Sequence, residues 1–120
     1  MAGLPLKFAV IGLGMASKPH LAALHQLADS IEVSGVYARD ADRRKEVSDN
    51  LGWPQFDSLE EIAASDIDAT LIITPPNARI NIVKTIATAG KAILMEKPVE
   101  RDLKRATELV EICEIENVPL

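Results

Sequence analysis

Four short stretches of the chain carry residue types that do chemistry, and each one directly follows an apolar run. The first is Gly12-Leu13-Gly14-Met15-Ala16-Ser17. A glycine right after a strand permits a tight turn, a second lets the main chain approach an anion, and a small third residue lets the next helix pack on the strand. The helix N-terminus adds unpaired N–H groups and partial positive charge. Together these suit the pyrophosphate of a dinucleotide, with Gly12, Gly14, Met15 and Ala16 placed around it. Ser17 stands where Gly or Ala is usual. It is small enough to pack, and its hydroxyl is expected to cap the helix or reach phosphate.

The second stretch is Val36-Tyr37-Ala38-Arg39-Asp40. An acidic side chain at the end of the second strand takes both ribose hydroxyls and selects NAD. Ala38 at that place leaves room for a 2′-phosphate, and the Arg39 guanidinium pairs with it or stacks on adenine, which favours NADP. In a shifted register Asp40 becomes the ribose ligand, Arg39 a solvated surface charge, and the cofactor NAD. The first register is preferred.

The remaining two stretches are turns, Thr74-Pro75-Pro76-Asn77 and Met95-Glu96-Lys97-Pro98. Ligands of doubly wound sheets bind at the carboxyl ends of the strands. Thr74, Pro75, Pro76 and Asn77 are therefore expected beside the nicotinamide ribose. Glu96 and Lys97 leave a strand end as charged neighbours, costly to bury unless paired or functional. An ion pair leaving the sheet is the plain alternative. His20 reads as structural and His25 as a surface residue. Five residues apart, with no nearby Cys or acid, they make no metal site.

Positioning these groups takes strands and helices in alternation. Leu6–Ile11, Glu32–Ala38, Ala69–Thr74 and Ala92–Glu96 read as strands, with a brief one at Gln55-Phe56. Helices are expected over Ala16–Ala28, Asp40–Leu51 (stopped by Gly52), Asn77–Ala89 (ending on Gly90) and from Asp102 to near Asn117. Ile80, Val83 and Ala87 are placed inward on the third of these. Ser58 and Glu61 form a capping box. The strands are apolar runs without period-two alternation, so both faces are covered. The fold class is α/β: a doubly wound, Rossmann-type parallel sheet in the order 3-2-1-4-5. The sequence stops at Val118-Pro119-Leu120, where a sixth strand would start, so residues 1–120 are expected to be one incomplete nucleotide-binding domain. An exposed edge on the fifth strand is the corollary.

Composition narrows the function. Thirteen basic and 18 acidic residues give a net charge of −5, which favours neither nucleic acid nor a membrane surface. Aromatics make up 3%, so Val, Ile, Leu and Ala must build the core. No apolar run is long enough to span a bilayer. Met1–Pro5 is too short and uncharged for a signal peptide, and a cytoplasmic protein is expected. The single Cys113 precludes an internal disulfide and reads as an inert packing thiol.

In this order the motifs resemble the N-terminal domain of the glucose-fructose oxidoreductase, inositol dehydrogenase and rhizopine-catabolism (Gfo/Idh/MocA) family, over essentially the whole chain. The resemblance rests on Gly12-x-Gly14 with His20-Leu21-x-Ala23-Leu24, on Thr74-Pro75-Pro76-Asn77, on Ala89-Gly90-Lys91, and above all on Glu96-Lys97-Pro98. It implies an NAD(P)-dependent oxidoreductase moving hydride to or from a secondary alcohol of a sugar, cyclitol or similar polyol. Lys97 would assist proton transfer, Glu96 would orient the cofactor amide or ribose, and Pro98 would shape the turn. Arg79 departs from the His common after the proline turn. A later Asp and His, the substrate-binding domain and the usual homo-oligomer interface would lie outside these residues, so the chain alone is expected to be inactive. A dinucleotide-sensing regulator of the same fold is the alternative, though a sensor has no use for the lysine. A methyltransferase fits the proline turn and Lys97 poorly.

Overall fold

The computed structural model describes residues 5–120, so the leader-peptide expectation at Met1–Pro5 lies, apart from Pro5, outside the described residues. β1 (Leu6–Ile11) runs straight into Gly12, and a 3-10 turn (Met15–Ser17) leads into α1 (Lys18–Gln26). β2 (Ile31–Tyr37) follows, then α2 (Ala41–Leu51), α3 (Leu59–Ala64) and β3 (Ala69–Ile72). A second 3-10 turn (Pro76–Ala78) opens α4 (Arg79–Thr88), and β4 (Ala92–Met95) precedes α5 (Leu103–Ile115). All strand pairs are parallel, in the order β2-β1-β3-β4.

The expected third strand is reduced to one parallel bridge, Val36 with Gln55, beside a Phe56 N–H to Val36 carbonyl bond. With that bridge counted, the spatial order is the expected 3-2-1-4-5. Pro54 sits just before the bridge and donates no hydrogen bond, which keeps the segment short. At the other edge the Ile93 N–H pairs with the Pro119 carbonyl. The chain's own tail thus covers part of the edge expected to be bare. Leu94, 59% exposed, still faces outward there.

Alternate residues of each strand serve opposite layers, because side chains along a strand point to alternate faces. Ala9, Ile11, Ile72 and Ile93 pack under α4 and α5 with Val83, Ile86, Leu109 and Cys113. Val10, Val36, Leu71 and Ile73 pack under α1 and α2 with Leu21, Leu24 and Val47. On α4 the inward residues are Ile82, Val83, Ile86 and Ala87. Ile80, expected inward, is only half-buried. Cys113 is buried and burial pushes its thiol pKa up, in keeping with a packing role.

Local signals set the helix ends. Asp40 and Asp102 cap α2 and α5 through their carboxylates, and Gly52 and Gly90 close α2 and α4 at φ +73° and +78°. Ser58 accepts the Glu61 N–H at 3.0 Å, but the Glu61 carboxylate takes the N–H of Asp57, one residue before the cap. The reciprocal half of the box is therefore shifted outward.

Candidate functional site

Since every strand runs the same way, β1, β2, β3 and β4 deliver their carboxyl-end loops to one side of the sheet. There the loops border a cleft of about 830 Å³. Its lining includes Gly12, Gly14, Met15, Ala16, Ala38, Arg39, Thr74, Pro75, Pro76, Asn77, Glu96 and Lys97. These are all twelve residues singled out from the sequence. Asp40 is not part of the lining. Among the described residues no group of three or more His, Cys, Asp or Glu gathers to hold a metal ion. Nor is any helix long and apolar enough to cross a membrane.

The glycine turn is built by close approach. Gly12 has φ +102°, and a Cβ there would lie 2.8 Å from the Thr74 nitrogen and 2.9 Å from the Ile73 carbonyl carbon. Gly14 is different: a Cβ would meet nothing within 4 Å. Its bare face opens on the cleft, and the N–H groups of Met15 and Ala16 precede the first intrahelical bond, from Ser17 N–H to the Gly14 carbonyl. The Ser17 side chain corrects one expectation. It is fully buried, and its Oγ donates to the Gly14 carbonyl at 2.6 Å, so it neither caps α1 nor faces the cleft. Its size suits the packing position, and its hydroxyl is used internally.

At the end of β2 the small Ala38 leaves space, and the exposed Arg39 has no salt-bridge partner among the described residues. Asp40 is occupied elsewhere: its Oδ1 accepts the N–H groups of Asp42 (2.9 Å) and Arg43 (3.2 Å). Arg44 lies over the Tyr37 ring at 5.5 Å and donates to the Ala38 carbonyl, which fixes the strand end.

Two residues that sequence reasoning left aside organise the far wall. His20, on α1, shares a 2.7 Å hydrogen bond with Glu96, its Nε2 meeting Oε2. The other carboxylate oxygen of Glu96 accepts the Lys97 N–H at 2.8 Å. The His20 bond first, then the Lys97 N–H, hold the Glu96 carboxyl below the usual carboxylate range. A charge-stabilised carboxylate contributes to stability above its unfolded-state value, near 4.5, and loses that contribution as pH falls through the lower folded value. His20→Ala is accordingly expected to raise the pH at which Glu96 protonates, followed by the carboxyl carbon signal in an NMR titration. An unchanged titration would remove His20 from this role. Arg79, read as a departure, is buried at the start of α4 and donates to carbonyls of both turns. Lys97 is exposed, and the Lys97–Pro98 peptide bond is cis. His25 is exposed and lies against Trp53 with ring centroids 6.5 Å apart.

A parallel sheet wound on both faces, with a glycine turn after its first strand, defines a Rossmann-type domain. The family described as an oxidoreductase family with an NAD-binding Rossmann fold (Gfo/Idh/MocA) matches residues 6–120, and the chain belongs to it. The chain is 30% identical over 115 residues to the D-xylose 1-dehydrogenase (NADP(+)) of Haloarcula marismortui, covering 92% of this chain and 32% of that protein. It is also 30% identical over 111 residues to the inositol 2-dehydrogenase of Rhizobium meliloti, covering 89% and 32%. In fold it matches the WlbA dehydrogenase from Bordetella pertussis, solved with NADH and UDP-GlcNAcA, at a TM-score of 0.90. The identity there is 23%, over 98% of this chain and 36% of that one. The chain thus spans about a third of the length of the relatives it matches. These relatives include one named for NADP(+) and one solved with NADH.

Proposed function

We propose that the chain is the nucleotide-binding domain of an oxidoreductase that moves hydride between a nicotinamide cofactor and a secondary alcohol of a sugar, cyclitol or similar polyol. The observation that carries this reading is the convergence of the Gly12–Ala16 turn, Thr74–Asn77 and Glu96–Lys97 on one cleft. The lining fits a dinucleotide. The bare face of Gly14 and the free N–H groups beside it suit a pyrophosphate, and the Thr74–Asn77 turn suits the nicotinamide ribose. When bound, the nicotinamide supplies hydride transfer; the chain's own residues bind, orient and handle the proton. Glu96, held by His20 and the Lys97 N–H, orients the reactive end. In alcohol oxidation the Lys97 amine takes the proton of the substrate hydroxyl, and the ammonium so formed stabilises the developing alkoxide; in reduction it returns that proton.

NADP(H) is the preferred cofactor in this reading. Arg39 lines the cleft with no salt-bridge partner among the described residues, Ala38 is small, and the Asp40 carboxylate caps α2 outside the cleft lining. A charge-assisted bidentate contact contributes roughly 1.5–3 kcal/mol, so NADPH is expected to bind about ten- to a hundredfold more tightly than NADH. Added salt weakens the preference, because the contact is at an exposed rim. Arg39→Ala should abolish most of it and leave NADH binding nearly unchanged, and Ala38→Asp should reverse it. Asp40→Ala should cost about 1 kcal/mol of stability through the lost cap, with the preference intact. Titration of both nucleotides against these variants is the test. Equal affinity, or tighter NADH binding that is lost in Asp40→Ala, would assign the ribose to Asp40.

A further inference from the structure

The largest fully buried side chain in the domain is a charged one, Arg79, only 2% exposed. It has no carboxylate within salt-bridge distance among the described residues. Among the described residues every hydrogen bond of its guanidinium goes to main chain. Nε and Nη2 donate to the Thr74 carbonyl at 3.0 and 2.7 Å, and Nη1 donates to the carbonyls of Glu96 and Pro98. A buried cation is expensive to desolvate, and it is expensive here: burial lowers the Arg79 pKa, opposed by the nearby charges of Glu96 and Glu100. Its position adds to the cost, since a cation in the first turn of a helix opposes the helix dipole. Helix stability therefore does not account for Arg79. What the side chain gains is three carbonyls at the carboxyl ends of two adjacent strands, β3 and β4.

Those carbonyls belong to the two turns that face each other across the reactive end of the cleft. Among the described residues Arg79 is the one side chain bonded to both. A guanidinium is planar and its donors form a rigid fork, so the bonds fix direction as well as distance. Lysine in its place offers a single nitrogen on a flexible stem and cannot reproduce the fork.

We propose that Arg79 is a positioning residue that clasps the Thr74–Asn77 turn to the Glu96–Pro98 turn, so that the two move as one unit and present Lys97 and Glu96 at a fixed separation from the proline turn. The consequence for the cofactor rests on reading the cleft as a dinucleotide site; the coupling of the turns does not. The test is hydrogen exchange read by mass spectrometry on the protein carrying this domain, comparing Arg79→Lys with the unaltered chain, alongside NADPH titration. Amide protection in segments 73–78 and 96–99 is expected to fall together, by roughly tenfold, the loss of about one charge-assisted bond. Protection around Gly12–Ser17 should hold. NADPH affinity should drop by a similar factor, and methylguanidinium should restore part of it in Arg79→Ala but not in Arg79→Lys. Independent changes in the two turns, or an equal loss in all three segments, overturn the proposal. If Arg79→Lys fails to fold, Arg79→Gln is scored on the same segments, and failure of both to fold also overturns it by making Arg79 a residue of global stability. An unaltered protein that binds neither NADPH nor NADH sinks the dinucleotide reading alone, because the exchange data still decide the coupling.

Discussion

Gly12→Ala is expected to leave the domain unfolded or destabilised by about 2–5 kcal/mol, a large share of the 5–15 kcal/mol that holds typical domains together. Two costs add. At φ +102° an L side chain is strained by roughly 1–2 kcal/mol or more. The new methyl also lies 2.8 Å from the Thr74 nitrogen and 2.9 Å from the Ile73 carbonyl carbon, which are backbone atoms directly after β3 and cannot swing aside. Forced overlap in a packed interior costs about 1–3 kcal/mol more. Gly14→Ala makes the contrast. Gly14 has φ −74° and open space where its Cβ would go, so stability should change by less than about 1 kcal/mol while nucleotide affinity falls, since the methyl would occupy the cleft wall. Denaturant unfolding of both variants, followed by NADPH titration of whichever folds, separates the two glycines. A Gly12→Ala protein with an unchanged midpoint would contradict the close packing of the turn on β3.

The layers were legible because they rest on local chemistry. Runs such as Phe8-Ala9-Val10-Ile11 and Ala69-Thr70-Leu71-Ile72 are apolar on both faces, which only a sheet covered twice can use. Asp40, Ser58 and Asp102 announce helix starts by their own side chains. The cleft residues were legible for the same reason: each follows a strand, and parallel strands bring their carboxyl ends to one side. What stayed hidden depends on partners far away in sequence. The His20–Glu96 bond joins residues 76 positions apart and becomes visible only when α1 and β4 are placed. The position of Ser17 suggests two destinations for its hydroxyl, the helix cap or phosphate, and the structure uses a third, the Gly14 carbonyl within the turn. The short bridge at Gln55 shows the limit of propensity, because one β-branch-poor pair next to Pro54 cannot sustain a ladder. Arg79 did leave a trace. A cation directly after a proline turn, at a helix start where the dipole disfavours it, asks for a ligand of its own, and main-chain carbonyls supply it.

The largest effect on turnover is expected at Lys97. On the proposed function, Lys97→Met in the full-length protein should lower kcat by about 10²–10⁴-fold, the usual contribution of a positioned proton-transfer group. Nucleotide affinity should change by much less, because the substituted side chain lies at the reactive end and the pyrophosphate turn is untouched. The stem survives in methionine, so the loss isolates the ammonium from its packing. The main-chain N–H of Lys97 still reaches Glu96 Oε1 at 2.8 Å, which keeps the carboxylate oriented. Lys97→Arg discriminates further. It restores positive charge beside a developing alkoxide but, being always protonated, can neither accept nor release a proton in the working range. Partial recovery would show electrostatic stabilisation, and none would show that proton movement dominates. The isolated 120-residue chain should turn over no polyol even with Lys97 present, because Lys97 is exposed and an open cleft neither excludes water nor fixes a substrate. Initial rates of polyol oxidation across pH, with both nucleotides, give kcat and kcat/KM for each variant. If Lys97→Met retained kcat within a few fold, proton handling would have to be assigned to a residue outside this chain, and the role of Lys97 would reduce to shaping the cleft.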